Sequence, residues 1–191
     1  MTKVVSTLGI VCFILVMLAP DEKHHTLIRK EQEQKILYDT RRQQVKQLEK
    51  IYREHTSAKI AHQVAWLTIE YSEKKQLPPL LVASVIIEES RVKPWAKGLA
   101  GEVGLMQIYP KFWKGVFPEC GNNLWRPRTN ICYGTSILHW SMVKSDSNFV
   151  EALHGYNGRV NNPTIDTQEY SKKVLARLGK LYLTTYNLKE N

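Results

Sequence analysis

LLVASVIIEESRVKPWAKGLAGEVGLMQIY, residues 80–109, is the stretch that decides how this chain is read. An apolar run leads into two carboxylates, Glu88 and Glu89, and then a serine, Ser90. A glycine-bearing turn region follows and ends in Gly104-Leu105-Met106-Gln107. Pro78 and Pro79 open the run, and proline is tolerated in the first turn of a helix. The pattern predicts a helix over about 79–90. Leu81, Val85 and Glu89 share one face of it at i, i+4 and i+8, next to Val82 and Ile86. Glu89 thus falls at the helix C-terminus beside an apolar row. The negative end of the helix dipole and loss of water both disfavour its charge. Both keep a carboxyl protonated, the state a general acid requires. Periodicity alone does not separate Glu89 from Glu88, and a terminal glutamate that simply faces solvent has the same spacing.

Upstream, Ala61, Val64, Ala65, Leu67, Thr68 and Tyr71 describe a helix with one apolar side, ended by Glu73-Lys74-Lys75. The composition shifts near Ile60, where the domain boundary is expected. Residues 21–59 are rich in Lys, Arg, Glu and Gln, with no Gly or Pro, and these are strong helix formers. They predict a solvated helical stalk, and Val45, Leu48, Ile51 and Tyr52 fall at helical spacing near its end. The repeat is too irregular to set an oligomeric state, and the mixed charges argue against a helix lying on anionic lipid. Residues 4–19 are apolar except for Ser6, Thr7 and Gly9, with Lys3 before them and Pro20-Asp21-Glu22 after. The run is short for a span and usual for a signal core. Met17 would occupy the −3 position of a cut after Ala19, and bulky Ile10 and Val11 precede Cys12. Residues 1–20 are therefore expected to be an uncleaved anchor, with the N-terminus cytoplasmic and the bulk of the chain outside.

With 191 residues and a net charge of +9, the chain has room for one compact domain plus an appendage. The basic balance favours anionic partners such as nucleic acid, anionic lipid or acidic wall polymers. The basic residues are scattered, though, and no nucleic-acid-binding motif is present, so no nucleic-acid partner is expected. No Walker loop or dinucleotide fingerprint implies a cofactor. The cysteines lack Cys-x-x-Cys spacing and the six histidines do not cluster with them, so no metal site is expected. Cys12 lies in the apolar N-terminal run. Cys120 and Cys132 sit close together in a loop-rich segment. If the domain is extracytoplasmic, they are expected to form a disulfide; the alternative is two free core thiols.

Glu89-Ser90 followed by Gly104-Leu105-Met106-Gln107 resembles the opening of the catalytic domain of soluble lytic transglycosylases, in the goose-type lysozyme superfamily. Later segments add to the match in order. Asn130-Ile131-Cys132-Tyr133-Gly134-Thr135-Ser136-Ile137-Leu138 resembles the family's Asn-Ile-x-x-Gly-x-x-x-Leu helix, and Gly155-Tyr156-Asn157-Gly158 its Ala-Tyr-Asn-x-Gly segment. Glu169-Tyr170 with Lys173-Val174 resembles its last motif. The resemblance covers roughly residues 60–182. It departs at His154 and Gly155, where small alanines usually stand, and at Arg159, where the family often has Gly or Pro.

The resemblance implies a mainly α, lysozyme-like domain over residues 60–191, with a groove for a peptidoglycan glycan strand, behind the anchor (1–20) and stalk (21–59). It implies that Glu89, directly before the serine, is the catalytic acid. Ser90, Gln107 and Asn157 would contact the sugar, Tyr156 and Tyr170 would line the acid's pocket, and Met106 would line the groove. At least one of Trp95, Tyr109, Phe112 and Trp113 is expected as a sugar platform. Glycoside cleavage normally uses two carboxylates, whereas this family uses one. A catalytic domain held at the inner membrane, facing the periplasm or wall space, would open the wall locally. It would serve a secretion or conjugation machine, wall turnover or, if phage-encoded, a virion. Two alternatives stay open. Glu102, just before Gly104, would make a lysozyme-type hydrolase if it faced Glu89 and activated water. A non-catalytic glycan-binding module would keep the fold, but intact Glu89, Gln107, Tyr156 and Asn157 argue against a retired site.

Overall fold

The computed structural model describes residues 22–159 and 167–187. The expected anchor at residues 1–20 lies outside them. Among the described residues no helix is long and apolar enough to cross a membrane.

The described chain is mainly helical, as expected. In order come α1 (Glu22–Tyr52), α2 (Ala58–Lys74), α3 (Pro79–Ser90), a short α4 (Pro110–Trp113), a 3-10 turn (Pro118–Cys120), α5 (Pro127–Lys144), α6 (Phe149–His154), a π-type turn (Gly155–Arg159) and α7 (Gln168–Asn187). Among the described residues there is no strand, only isolated antiparallel bridges from Val103 to Lys97 and to Ile108.

The chain divides into two compact units between Arg42 and Gln43, inside α1. In the first unit the described residues are solvated helix: Leu27, Ile36 and Leu37 are all exposed, and Arg29 pairs with Glu33 one turn on. The second unit begins at Gln43, upstream of the composition shift at Ile60. The reason is packing that a polar composition hides. Val45, Leu48, Ile51 and Tyr52 are all buried in the core, and the Tyr52 hydroxyl donates to Thr68 Oγ1 at 3.0 Å. Thr68 Oγ1 in turn donates to the Val64 carbonyl.

The helix α3 occupies the bounds read from sequence, but its burial differs. An apolar stripe was expected; instead every residue from Leu81 to Ile87 is buried, with α2 and α7 packed against it. A helix buried all round is a core element, not an amphipathic surface one. Ser84 fits there because its hydroxyl donates to the Leu80 carbonyl one turn back. The helix ends at Arg91, which turns left-handed (φ 49°) and donates its N–H to the Ile87 carbonyl.

The second buried helix, α5, holds the loop that follows α3. Asn130 is 1% exposed and makes three hydrogen bonds. Its Oδ1 accepts from Met106 N at 2.7 Å, while its Nδ2 donates to the carbonyls of Val103 (2.8 Å) and Leu124 (2.9 Å). Gly104 has φ 80° and lies against this amide, so a side chain there would be both strained and in collision with Asn130. Gly134, one turn along α5, has no side chain because Met106 packs directly on its backbone. Cys120 and Cys132 form the expected disulfide, tying the 3-10 turn to α5.

Replacing Asn130 by Ala orphans a buried N–H and two carbonyl contacts. It is expected to cost about 2–3 kcal/mol of unfolding free energy, measured by urea denaturation. A loss under about 0.5 kcal/mol would mean that water replaces the amide without cost and that Asn130 does not hold the loop.

Candidate active site

Glu89 lies in the last turn of α3, where the all-round packing of the helix opens. Its carboxyl is half-buried on the wall of a groove of about 640 Å³ that Glu102, Gln107, Tyr156 and Asn157 also line. The hydroxyl of Tyr170, from α7, donates to Glu89 Oε1 at 2.5 Å. Burial pushes the Glu89 carboxyl up to about 7, against the opposing effect of the Tyr170 hydrogen bond, and the charges of Glu88 and Glu102 add to the rise. Burial also raises the hydroxyls of Tyr156 and Tyr170 well above the ordinary phenol value, with the Glu89 charge adding to it. Both stay protonated donors at neutral pH.

The neighbouring acid has a different partner. Glu88 Oε2 accepts from Arg177 Nη2 at 2.9 Å and from Nε at 3.3 Å. It does not line the groove. Adjacent helical residues point about 100° apart, and here one faces the groove while the other faces the cation on α7.

The other expected site residues divide. Gln107 lines the groove, but its Nε2 is committed to the carbonyls of Ala96 (3.2 Å) and Gly104 (2.9 Å), holding its own loop in shape. Asn157 lines the groove from the π-type turn. Tyr156 lines it too, and its hydroxyl donates to the Met106 carbonyl at 2.7 Å, joining that turn to the loop. Met106 was expected in the groove wall; it is 0% exposed and faces α5 instead. Only its backbone serves the site, because the left-handed turns at Gly104 and Gln107 direct its side chain into the core. Ser90 was expected to meet the sugar; it is buried, its hydroxyl donates to the Ile86 carbonyl at 3.1 Å, and it does not line the groove.

Among the aromatics, Tyr109, Phe112 and Trp113 line the groove, while Trp95 is exposed outside it. Leu99, at the tip of the glycine-flanked loop, also reaches the groove lip and is fully exposed. His154 packs inside: it is 6% exposed and its Nε2 lies 3.0 Å from Ser171 Oγ on α7. Ser171 Oγ also lies 3.0 Å from the Gln168 carbonyl. Sequence reasoning missed Arg177. Its signal was present as a cation two helical turns beyond Tyr170, on the same face of α7.

A helical domain with a half-buried, protonatable glutamate opening into an aromatic-walled groove has the design of a lysozyme-like glycan-cleaving domain. Residues 67–175 match the model of the Transglycosylase SLT domain family, and the chain belongs to that family. Its members are lytic transglycosylases, which makes this chain, in general terms, a peptidoglycan-cleaving enzyme.

The raised Glu89 pKa also bears on stability. A carboxyl with an ordinary value of 4.5 and a folded value of about 7 contributes stability that is fully present below pH 4.5 and is lost as pH rises through about 7. Glu89→Gln removes that loss. By calorimetry at pH 8 the variant is expected to be more stable than wild type, by roughly 1–3 kcal/mol, with the gap closing by pH 4. Parallel wild-type and variant curves across this range would show that Glu89 titrates as an ordinary surface acid.

Proposed function

We propose that this chain cleaves the β-1,4 bond between N-acetylmuramic acid and N-acetylglucosamine in peptidoglycan, leaving a 1,6-anhydro-muramic end. The observation that carries the reading is the Glu89 carboxyl, half-buried in the groove and raised to about 7 by burial, with Tyr170 donating to one of its oxygens. Oε1 is held by the phenol, which leaves Oε2 to carry the proton. Protonated Glu89 gives that proton to the glycosidic oxygen as the C1–O bond breaks, and the acetamido group of the substrate stabilises the cationic C1. Glu89, now a carboxylate, takes the proton of the muramic 6-hydroxyl as that oxygen bonds to C1. The proton count closes on Glu89, and no water enters. A nucleophile within the substrate needs no second acid and starts at a high effective concentration. The Tyr170 hydrogen bond stabilises the carboxylate between the two steps, and a value near 7 suits a group that must act as acid and then as base.

A second reading has its own observation. Glu102 lines the same groove, and its charge contributes to the raised value of Glu89. An acid placed there would activate water, giving hydrolysis. Against it, Glu102 Oε2 accepts from the Ala100 N–H within its own loop.

The disulfide supports an oxidising compartment outside the cytoplasm. With the expected anchor in residues 1–20, the domain works at the inner membrane on the wall side, in a secretion or conjugation assembly, in wall turnover or in a virion.

Mass spectrometry of muropeptides released from purified sacculi tests the reading. Anhydro-muropeptides are expected from wild type and a loss of about 100-fold or more in Glu89→Gln. The kcat/KM profile should fall above about pH 7, roughly tenfold per pH unit, as the free enzyme's acid deprotonates. Reducing-end products would overturn the anhydro outcome and make Glu102→Gln the next variant. Sacculus binding without products in folded wild type would mean a glycan-binding module.

A further inference from the structure

The central helix and α7 meet at two successive acids. Glu89 receives the Tyr170 hydroxyl, and Glu88 receives both the Nε and Nη2 of Arg177. Tyr170 and Arg177 stand two turns apart on one face of α7. Val174, fully buried between them, and Leu178, packed on the core just beyond, seat that face. The Tyr170 bond is a single contact from one hydroxyl, whereas Arg177 brings two donors of its planar guanidinium onto one oxygen, Glu88 Oε2. The side chains of Arg177 and Glu88 are 33% and 20% exposed, so solvent only partly screens the pair.

We propose that the Glu88–Arg177 ion pair is a positioning device for the reaction: it sets the register of α7 on α3 so that the Tyr170 hydroxyl stays on Glu89. This rests on the reading of Glu89 as the acid. The pair has a second consequence, because the Glu88 charge acts on the acid more strongly than that of Glu102. Around Glu89 the facing groups are Tyr170 of α7, Tyr156 of the π-type turn, Glu102 of the loop and Glu88 of its own helix. Around Glu88 they are Arg177 and, more distantly, Lys173 of α7. Arg177 in turn faces His55, from the segment between α1 and α2, with Arg91 and Lys180 nearby. Arg177 is the member of this set in contact with Glu88. Removing it unmasks the Glu88 charge and loosens Tyr170, and both changes favour protonated Glu89. Removing the Glu88 charge while Arg177 stays also breaks the pair and loosens Tyr170, but it takes away the like charge on Glu89, so its two effects oppose each other.

The test compares Arg177→Met, which keeps the apolar stem, with Glu88→Gln and Arg177→Lys, on folded protein checked by circular dichroism. The first readout needs no activity: the titration midpoint of the Glu89 carboxyl, followed by carbon-13 NMR and assigned by its loss in Glu89→Gln. The midpoint is expected to rise by half a pH unit or more in Arg177→Met, to move by less in Glu88→Gln, where the lost like charge opposes the loosened Tyr170 bond, and to stay closest to wild type in Arg177→Lys. The second readout is turnover on sacculi: kcat down about tenfold in Arg177→Met with KM within twofold, and the alkaline limb of kcat/KM moved in the same direction as the midpoint. Folded variants with unmoved midpoints overturn the proposal, as does a drop in melting temperature alone. Moved midpoints in a protein that releases no muropeptides would overturn the proposed function while leaving the role of the pair toward Tyr170 and Glu89 standing.

Discussion

The burial of α3 on every side is the constraint from which the rest of the domain follows. Seven consecutive residues, Leu81 to Ile87, are out of water, so the helix has no face to spare for a polar group along its middle. Its polar residues must come at its ends or, like Ser84, satisfy themselves on the helix backbone. Two carboxylates at the C-terminal end are then the first groups able to leave the core. They do so in a region still dry enough to keep one of them, Glu89, about half protonated at pH 7. The helix neighbours are placed to close this core: α2 on one side, α7 on another, and the last two turns of α1 through Val45, Leu48, Ile51 and Tyr52.

The wall of the groove depends on a second device, the Asn130 amide. Three backbone groups from two separate segments converge on one side chain. The loop it holds turns through positive φ at Gly101, Gly104 and Gln107; glycine takes such a conformation freely, whereas Gln107 is held in it by the surrounding bonds. Tyr156 fastens the same loop from the other side by its bond to the Met106 carbonyl. Much of the Gly104-Leu105-Met106-Gln107 motif is therefore architecture. Gly104 makes room for Asn130, and Leu105 and Met106 are fully buried. Gln107 reaches the groove while bracing its own turn.

The electrostatics of the site come from dividing two adjacent acids. Glu88 receives a guanidinium and Glu89 receives a phenol. A guanidinium beside Glu89 would have held it charged and useless as an acid at neutral pH. A phenol stabilises the charge less and leaves burial as the stronger influence. Charge pairing beside Glu89, and its avoidance on Glu89 itself, leaves one of two adjacent carboxylates able to hold or release a proton near neutral pH.

By itself the sequence determined the helical character of the chain, the span of α3, and the candidacy of Glu89, Gln107, Tyr156, Asn157 and Tyr170; it offered Cys120 with Cys132 as a pair but left free thiols open. These follow from local signals: apolar runs, a proline start, close cysteines, and motifs in a fixed order. Tertiary structure decided what depends on residues far apart in the chain. It separated Glu89 from Glu88, because their partners Tyr170 and Arg177 arrive from α7, some eighty residues on. It turned Met106 and Ser90 inward, although both belong to recognisable motifs, because a motif records which residue is needed and not which way it faces. It began the compact unit at Gln43, because four apolar side chains scattered in a polar segment find one another's face only when a core stands against them. Local pattern specifies an element; the choice of which of its faces is dry belongs to the elements that pack on it.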